Sequence, residues 1–258
     1  MRLLVVTKKK LIGFGISVAA FILAVFISVS SISDAVEASA TQREIPIYCV
    51  DRQDKVVSIS FDAAWGNEQT QTLLDILARY NVKSTFFLVG QWVEKYPESV
   101  KAIADAGHDV GNHSSTHPQM SQLSHSKMLE EIQGCNSKIK EITGKEPTLF
   151  RPPYGDYNNE VVKAVRDDAK MYCVQWDVDS LDWKDPTPQD MTKRVLSKIQ
   201  NGSIVLMHNG AKNTPEALPM IIEGIIAQGY KIVPISEILL TGEYITDHEG
   251  RMKQKSSV

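Results

Sequence analysis

A chain of 258 residues, 43% of them hydrophobic, is long enough for one large domain and an extension. Its formal net charge of -3 gives no indication of a nucleic-acid or strongly acidic partner. Its three widely spaced cysteines form neither a zinc pattern nor a disulfide framework, so we interpret them as buried or free thiols. A bridge such as Cys49 to Cys135 stays open for a chain outside the cytosol.

The start of the chain predicts an export segment. Lys8–Lys10 precede an apolar run from Leu11 to Ile32. About 20 apolar residues are enough to cross a hydrocarbon core of about 30 Å, and basic flanks stay on the cytoplasmic side. We therefore predict a single-pass anchor over residues 1–33 and a linker over 34–50, with the folded domain outside the cytoplasm at the cell membrane. A signal peptide cleaved near Ala40, where small residues cluster, is the alternative.

Beyond the linker, apolar strands alternate with amphipathic helices. Strands are predicted at 56–61, 84–89, 108–112, 148–151, 171–177, 204–207 and 231–234, with Cys173 and Trp176 assigned to the core. Helices are predicted at 68–80, 93–106, 125–142, 158–168, from Thr187 onward, and at 215–228.

Strict alternation of strands and helices implies a parallel sheet with helices outside, as an open doubly wound sheet or a barrel. No glycine-rich phosphate loop follows the first strand. Polar clusters follow successive strands instead, and a barrel gathers such loops at one face. We therefore predict an incomplete α/β barrel of about seven parallel strands over residues 51–243, followed by a frayed polar tail over 244–258.

Two histidines four residues apart, His113 and His117, predict a metal site. Neutral imidazole is a good metal ligand, and residues i and i+4 share one face of a helical turn. A bound cation would polarise a carbonyl group and lower the pKa of its bound water. Two imidazoles suit zinc, cobalt and nickel alike, so the pattern leaves the metal open.

Further side chains would complete a hydrolytic centre. Asp62 would take a proton from the water, and His208, as an imidazolium, would protonate a leaving nitrogen. Arg151 would hold Asp62 ionised, and Asp182 would hold His208. Structural roles compete, since Asp62 could cap a helix and His208 could be a core histidine. Two aromatic residues offer flat faces for a sugar, Tyr154 and Trp183.

Five motifs stand in order along the chain: SFD, HSSTHP, RPPYG, DSLDW and LMHN. This order resembles the polysaccharide deacetylases, the NodB-homology or carbohydrate esterase family 4 group, over about Val56 to Glu237. In its FDAAWG motif and its N-terminal anchor, the chain is similar to the membrane-anchored sporulation deacetylases of Gram-positive spore formers. The resemblance implies a deformed (β/α) barrel and a divalent metal, usually zinc and sometimes cobalt, nickel or manganese. It also implies removal of acetyl groups from N-acetylated amino sugars, here in a cell-wall glycan such as peptidoglycan.

Carried over by motif, the resemblance implies the roles given above: Asp62 as base, His208 as acid, and the histidine pair as metal ligands. One position departs from the family pattern. The family's first motif has two adjacent aspartates, the second being the third metal ligand, and that position is Ala63 here. Three explanations stay open: water or substrate supplies the ligand, Asp62 itself coordinates, or the domain binds glycan as an envelope or sporulation scaffold without cutting it.

Overall fold

A computed structural model describes residues 43–255 of the chain. The predicted anchor over 1–33, the cleavage site near Ala40 and the first part of the linker lie outside the described residues. Within residues 43–255, no helix has both the length and the apolar character needed to span a bilayer.

The strands are short, and most are buried. Their bounds are β1 Cys49–Val50, β2 Val56–Ala63, β3 Thr85–Leu88, β4 Asp109–Asn112, β5 Leu149–Phe150, β6 Tyr172–Cys173, β7 Val178–Asp179, β8 Ile204–His208, β9 Lys231–Ile232, β10 Tyr244–Thr246 and β11 Arg251–Gln254.

Helices connect most of these strands. Their bounds are α1 Thr70–Arg79, α2 Gly90–Lys95, α3 Pro97–Asp105, α4 His125–Thr143, α5 Asn159–Lys163, α6 Pro188–Leu196, α7 Thr214–Ala227 and α8 Ile235–Ile238. A π-helical turn, Ala164–Asp168, extends α5, and short 3₁₀ turns occur at Met120–Gln122, Pro153–Gly155 and Asp182–Lys184.

The main sheet is parallel and wraps into an incomplete, deformed barrel, as the sequence predicts. Its strands follow the order β6-β5-β4-β3-β2-β8-β7, and β9 pairs with the start of β2. The extended segment before β2 runs from edge strand β6 to the start of β8. The Ile47 amide donates to the Cys173 carbonyl at 2.8 Å, and the Val50 amide donates to the Gly202 carbonyl at 3.0 Å. The barrel is thus bridged by chain on this side rather than by a further parallel strand.

Strand β2 explains how the core and the site are separated. All eight of its residues are buried, as expected for a central parallel strand. Val57, Ile59 and Phe61 join the hydrophobic cluster beneath the helices. Side chains alternate across a strand, so Ser60 and Asp62 point to the opposite face, inside the barrel. The same strand therefore supplies the core with apolar groups and the interior with polar ones.

Three predictions about elements are wrong in detail. The helix predicted over 93–106 is two helices, because Pro97 opens α3 at its first turn after a break at Tyr96. Of the strand predicted over 171–177, only β6, Tyr172–Cys173, is a strand; β7 begins just beyond it at Val178, and the two lie at opposite edges of the sheet. The polar tail predicted from residue 244 contains β10 and β11, which pair with each other and, through β11, with β1 of the predicted linker.

The structure confirms one predicted helix end, one predicted helix start and the predicted state of the cysteines. Helix α4 ends at Gly144, whose φ of 71° is the left-handed conformation that favours glycine at a helix C-terminus. Thr187 caps α6 by accepting a hydrogen bond from the Asp190 amide. Cys49, Cys135 and Cys173 are free and buried, as predicted.

Candidate active site

The polar side chains predicted from the motifs meet at the carboxyl ends of the barrel strands. In the register of β2 and β8, Asp62 lies directly beside His208, and the Asn209 amide donates to the Asp62 carbonyl at 3.0 Å. Neighbouring strands of a parallel sheet bring their ends to one edge, so this pairing fixes a carboxylate and an imidazole at the same mouth of the barrel.

Asp62 is held by a buried arginine. Its Oδ1 accepts a hydrogen bond from Arg151 Nη1 at 2.7 Å, and its Oδ2 lies 3.4 Å from His113 Nε2. Arg151 is fully buried, and its Nη2 donates to Ser60 Oγ and to the Gln175 carbonyl. Burial opposes ionisation of Asp62, but the charge and hydrogen bond of Arg151, together with the charge of His208, outweigh it and hold the pKa of Asp62 below its usual value. The carboxylate is therefore ionised and oriented.

The two histidines are neighbours, but no helix brings them together. Residues 113–117 form a turn in which Ser114 and His117 both have left-handed backbone angles, φ 68° and 62°. The Ser114 amide donates to Asn112 Oδ1 at 2.7 Å, and the His117 amide donates to Ser114 Oγ at 2.9 Å. The two rings meet edge to face with centroids 4.9 Å apart. The predicted helical turn is thus wrong, while the predicted proximity of the rings is right.

The tautomer of His113 follows from its partner. His113 Nδ1 lies 2.7 Å from the Arg151 carbonyl oxygen, which can only accept, so Nδ1 carries the proton. This leaves a lone pair on Nε2, the atom nearest Asp62. Burial lowers the pKa of His113 to about 4, and burial also lowers the pKa of His117. Both imidazoles are therefore neutral at pH 7, the form that ligates metals.

His208 is held by Asp182, as predicted. Asp182 is fully buried; its Oδ1 lies 2.7 Å from His208 Nδ1, and its Oδ2 accepts from the His208 amide and from Thr214 Oγ1. Burial lowers the pKa of His208, but the hydrogen bond and charge of Asp182 outweigh it, so the pKa is raised overall. Because Nδ1 faces Asp182, Nε2 is the nitrogen left to donate a proton.

Asp62 and the three histidines of the site line an open cleft of about 370 Å³ walled by aromatic rings. Tyr154 and Trp183, the predicted sugar-stacking residues, both line it and are 68% and 51% exposed. The sequence interpretation missed Trp65, whose position in the loop three residues after Asp62 was the available signal. It also assigned Trp176 to the core, whereas this half-buried ring lines the cleft.

The loops around the cleft carry backbone strain. Most of the non-glycine residues with positive φ among residues 43–255 lie in these loops: Ser114, His117, Tyr154, Leu181 and Asp185. Left-handed angles cost about 1–3 kcal/mol each for such residues and persist only where the surroundings enforce them. The strain shows that the folded protein fixes these loops in place.

The imidazoles of His113 and His117 are suitable ligands for a divalent cation, but the site lacks the carboxylate ligand that the family has at position 63. Ala63 is fully buried in the hydrophobic cluster and has no donor atom on its side chain. Glu68 folds back over Gly66, and Asn67 Nδ2 donates to Ser99 Oγ, so neither replaces the missing ligand. Within residues 43–255, no group of three or more His, Cys, Asp or Glu side chains is arranged around a common ion position. Catalytic zinc sites usually take three protein ligands.

Comparison with known proteins identifies the family. The family model for polysaccharide deacetylase matches residues 50–172. A peptidoglycan-N-acetylglucosamine deacetylase of Bacillus cereus is 34% identical over 194 residues, which cover 74% of this chain and 91% of the relative. The chain therefore belongs to the polysaccharide deacetylase family, carbohydrate esterase family 4, as its motif order predicted.

Longer relatives are also similar. The uncharacterized protein YlxY of Bacillus subtilis is 37% identical over 81% of this chain. The chain spans only 65% of YlxY and 40% of the N-acetylmuramic acid deacetylase PdaC of the same species.

A solved structure of a carbohydrate esterase family 4 pseudoenzyme from Bacillus anthracis is 42% identical, with a TM-score of 0.72 and coverage of 75% of this chain and 68% of that chain. A mutant of that protein, described as having restored enzymatic activity, matches at 43% identity with the same TM-score and covers 75% of this chain and 70% of its own.

Proposed function

We propose that this domain hydrolyses the N-acetyl amide of amino sugars in a cell-wall polymer such as peptidoglycan. The observation that carries the proposal is the pairing of Asp62 and His208 at one cleft. One is held ionised by Arg151, and the other has its pKa raised by Asp182. Two groups whose surroundings push their pKa values in opposite directions are the signature of an acid and a base acting together. Family membership and the aromatic walls of the cleft support a sugar substrate.

Each residue then has a defined task. Asp62 accepts the proton of the attacking water while Arg151 keeps its carboxylate oriented. His208 donates the Nε2 proton to the leaving amine nitrogen, and Asp182 holds the imidazolium through Nδ1. The rings of Tyr154 and Trp183 provide apolar faces on which a sugar ring stacks. Proton transfer by positioned groups of this kind contributes about 10²–10⁴-fold to a rate.

His113 and His117 would hold a divalent cation, with zinc our first choice and cobalt, nickel or manganese as alternatives. When bound, the cation would polarise the acetyl carbonyl and lower the pKa of a bound water. With Ala63 in place of a carboxylate, water or substrate must complete the ligand set, so we expect affinity below that of a three-ligand site.

Ala63 supports a second candidate, an impaired deacetylase that binds envelope glycan without cutting it. The similar pseudoenzyme from Bacillus anthracis supports the same reading. Purified domain should be compared with Ala63→Asp for zinc content and for acetate released from peptidoglycan. Acetate release by the wild type supports catalysis. Stoichiometric glycan binding without acetate release, with activity appearing in Ala63→Asp, supports the impaired form.

The acid and base assignments are tested by Asp62→Asn and His208→Ala, with Asp185→Asn as a matched control on an exposed loop carboxylate. In whichever background releases acetate, we expect each active-site variant to lose about 10²-fold or more in kcat and the control to keep it. Wild-type rates in both variants would refute the roles of Asp62 as base and His208 as acid.

We further propose that the domain works outside the cytoplasm, anchored by the apolar run Leu11–Ile32 and acting in spore formation. The basic start of the chain supports the external location, and the FDAAWG motif supports the role in spore formation. Protease added to intact cells should digest the domain while leaving it membrane-associated. Recovery of a soluble chain starting near residue 41 would favour the cleaved form instead. Loss of heat-resistant spores on deletion of the gene would support the developmental role.

A further inference from the structure

Trp65 covers the face of His208. Its indole stacks on the imidazole with ring centroids 5.1 Å apart and an interplanar angle of 29°. Trp65 is nevertheless 46% exposed, so a large part of its surface faces the cleft and solvent rather than the core. The position of a large aromatic residue this exposed, in a loop at the end of a strand, is not explained by core packing.

The backbone around Trp65 is built to hold it there. The carbonyl of the next residue, Gly66, accepts hydrogen bonds from Trp92 Nε1 at 2.6 Å and from Asn209 Nδ2 at 3.4 Å. Asn209 directly follows His208, and its own Oδ1 accepts from Thr70 Oγ1 at 3.0 Å. The loop carrying the indole is therefore tied to the strand carrying the imidazole.

Gly210 leaves the space that the indole occupies. A Cβ atom at this position would lie 2.5 Å from the Trp65 carbonyl oxygen and 2.7 Å from its Cδ1 and Nε1 atoms. Contacts below 3.0 Å force a shift, and here one of the atoms is backbone. Only glycine at 210 therefore permits the observed stacking of Trp65 on His208.

We propose that Trp65 is a positioning residue that acts through His208. Asp182 fixes one edge of the imidazole, and the indole covers one of its faces, so the ring cannot rotate about its Cβ–Cγ bond without displacing Trp65. The indole also keeps water from the Nδ1–H···Oδ1 hydrogen bond, which is stronger when dry. Nε2 is thereby held toward the cleft. That Trp65 holds the His208 ring is a structural inference; that this affects catalysis rests on the proposed role of His208 as proton donor.

The test reads the His208 Nδ1–H proton directly by ¹H NMR, with no need for turnover. A proton in a buried, charge-assisted hydrogen bond exchanges slowly and gives a downfield line, which a His208→Gln variant identifies by its absence. We expect Trp65→Leu to broaden or abolish this line and Trp65→Phe to restore it. Trp183→Leu, which removes another exposed indole of the same cleft, should leave it sharp. The His113 Nδ1–H line serves as an internal reference for an intact fold.

Gly210→Ala is an independent variant that keeps both rings and should displace the indole. We expect it to abolish the His208 line as Trp65→Leu does. Lines that stay sharp and unshifted in both variants would overturn the inference, whatever the enzyme does.

Kinetics separate the inference from the proposed function. In whichever of the wild type and Ala63→Asp releases acetate, Trp65→Leu should lower kcat by about 10–100-fold while KM changes by less than about twofold. If neither chain releases acetate, the proposed hydrolysis fails, and the NMR result still decides whether Trp65 positions His208. A fall in affinity alone, with kcat unchanged, would make Trp65 a sugar-stacking residue and overturn the positioning role.

Discussion

Asp182→Asn should destabilise the fold more at low pH than at high pH. Within residues 43–255, the Asp182 carboxylate accepts from the His208 amide at 2.6 Å, from His208 Nδ1 at 2.7 Å and from Thr214 Oγ1 at 2.7 Å. An asparagine keeps one acceptor oxygen and turns an NH₂ group toward a donor. Losing one hydrogen bond to a charged group costs about 1.5–3 kcal/mol, and an unsatisfied buried polar group adds about 1 kcal/mol or more. We therefore expect a loss of about 2.5–4 kcal/mol, a large share of a typical stability of about 5–15 kcal/mol.

The pH dependence follows from the raised pKa of His208. A histidine whose folded pKa is raised contributes stability that is fully present below its unfolded pKa and is lost as pH rises through the folded pKa. Asp182→Asn removes the cause of the upward shift, so its cost should be largest near pH 5.5 and smaller near pH 8.5. What remains at high pH is the cost of the broken hydrogen bonds.

Urea unfolding followed by tryptophan fluorescence measures both quantities. Asp185→Asn is a matched control, because Asp185 lies three residues away, is exposed, and has a φ of 53° that asparagine also tolerates. The control should change the free energy of unfolding by less than about 0.5 kcal/mol. A cost for Asp182→Asn that grows with pH, or that equals the control, would refute the reasoning.

Three further predictions concern the frame around the site. Arg151→Met leaves a buried carboxylate without its cation and should cost about 3–5 kcal/mol in urea unfolding; a loss below about 1 kcal/mol would contradict the buried pair. Gly202→Ala would place a Cβ atom on the Val50 carbonyl and should prevent folding or lower Tm severely. Gly144→Ala, at a similar φ but in open space, should cost about 1 kcal/mol, so equal losses would contradict the collision. Burial raises the pKa of Cys49 and of Cys135 to about 12, so iodoacetamide should label these thiols only after unfolding.

The barrel is predictable because local pattern and global fold agree along its central strands. The alternation of Val57, Ile59 and Phe61 with Ser60 and Asp62 places apolar and polar groups on opposite faces of β2 wherever that strand lies in a sheet. Polar residues at strand ends then converge for a geometric reason, since parallel strands share one edge. This is why the sequence brings Asp62 and His208 together without any information about loops.

The loops are less predictable because their conformation depends on side chains distant in sequence. The turn 113–117 is closed by hydrogen bonds to the Ser114 hydroxyl and the Asn112 amide oxygen. The periodicity of apolar residues, which predicts helices and strands, does not predict such a turn. The tail that pairs through β11 with Cys49 and Val50 has a polar composition, so nothing local separates it from a frayed end. The position of Trp65 close to Asp62 could have marked it as a cleft residue, but its stacking on His208 depends on the space left by Gly210, which lies 145 positions along the chain and contacts Trp65 only in the folded protein.

Each charged side chain of the site has a counter-charge inside the protein, so the alanine at position 63 leaves these ion pairs intact. Asp62 is paired with Arg151, and His208 is paired with Asp182, so each ionised group has its counter-charge inside the protein. Ala63 belongs to neither pair, and its carbonyl accepts the Val89 amide as part of the barrel. Loss of a carboxylate there reduces the charge available to a cation and leaves Asp62, His208 and their supporting side chains assembled. On the proposed function, we therefore expect the departure from the family pattern to lower metal affinity and to leave the proposed acid and base in place, so Ala63→Asp tests it with one substitution.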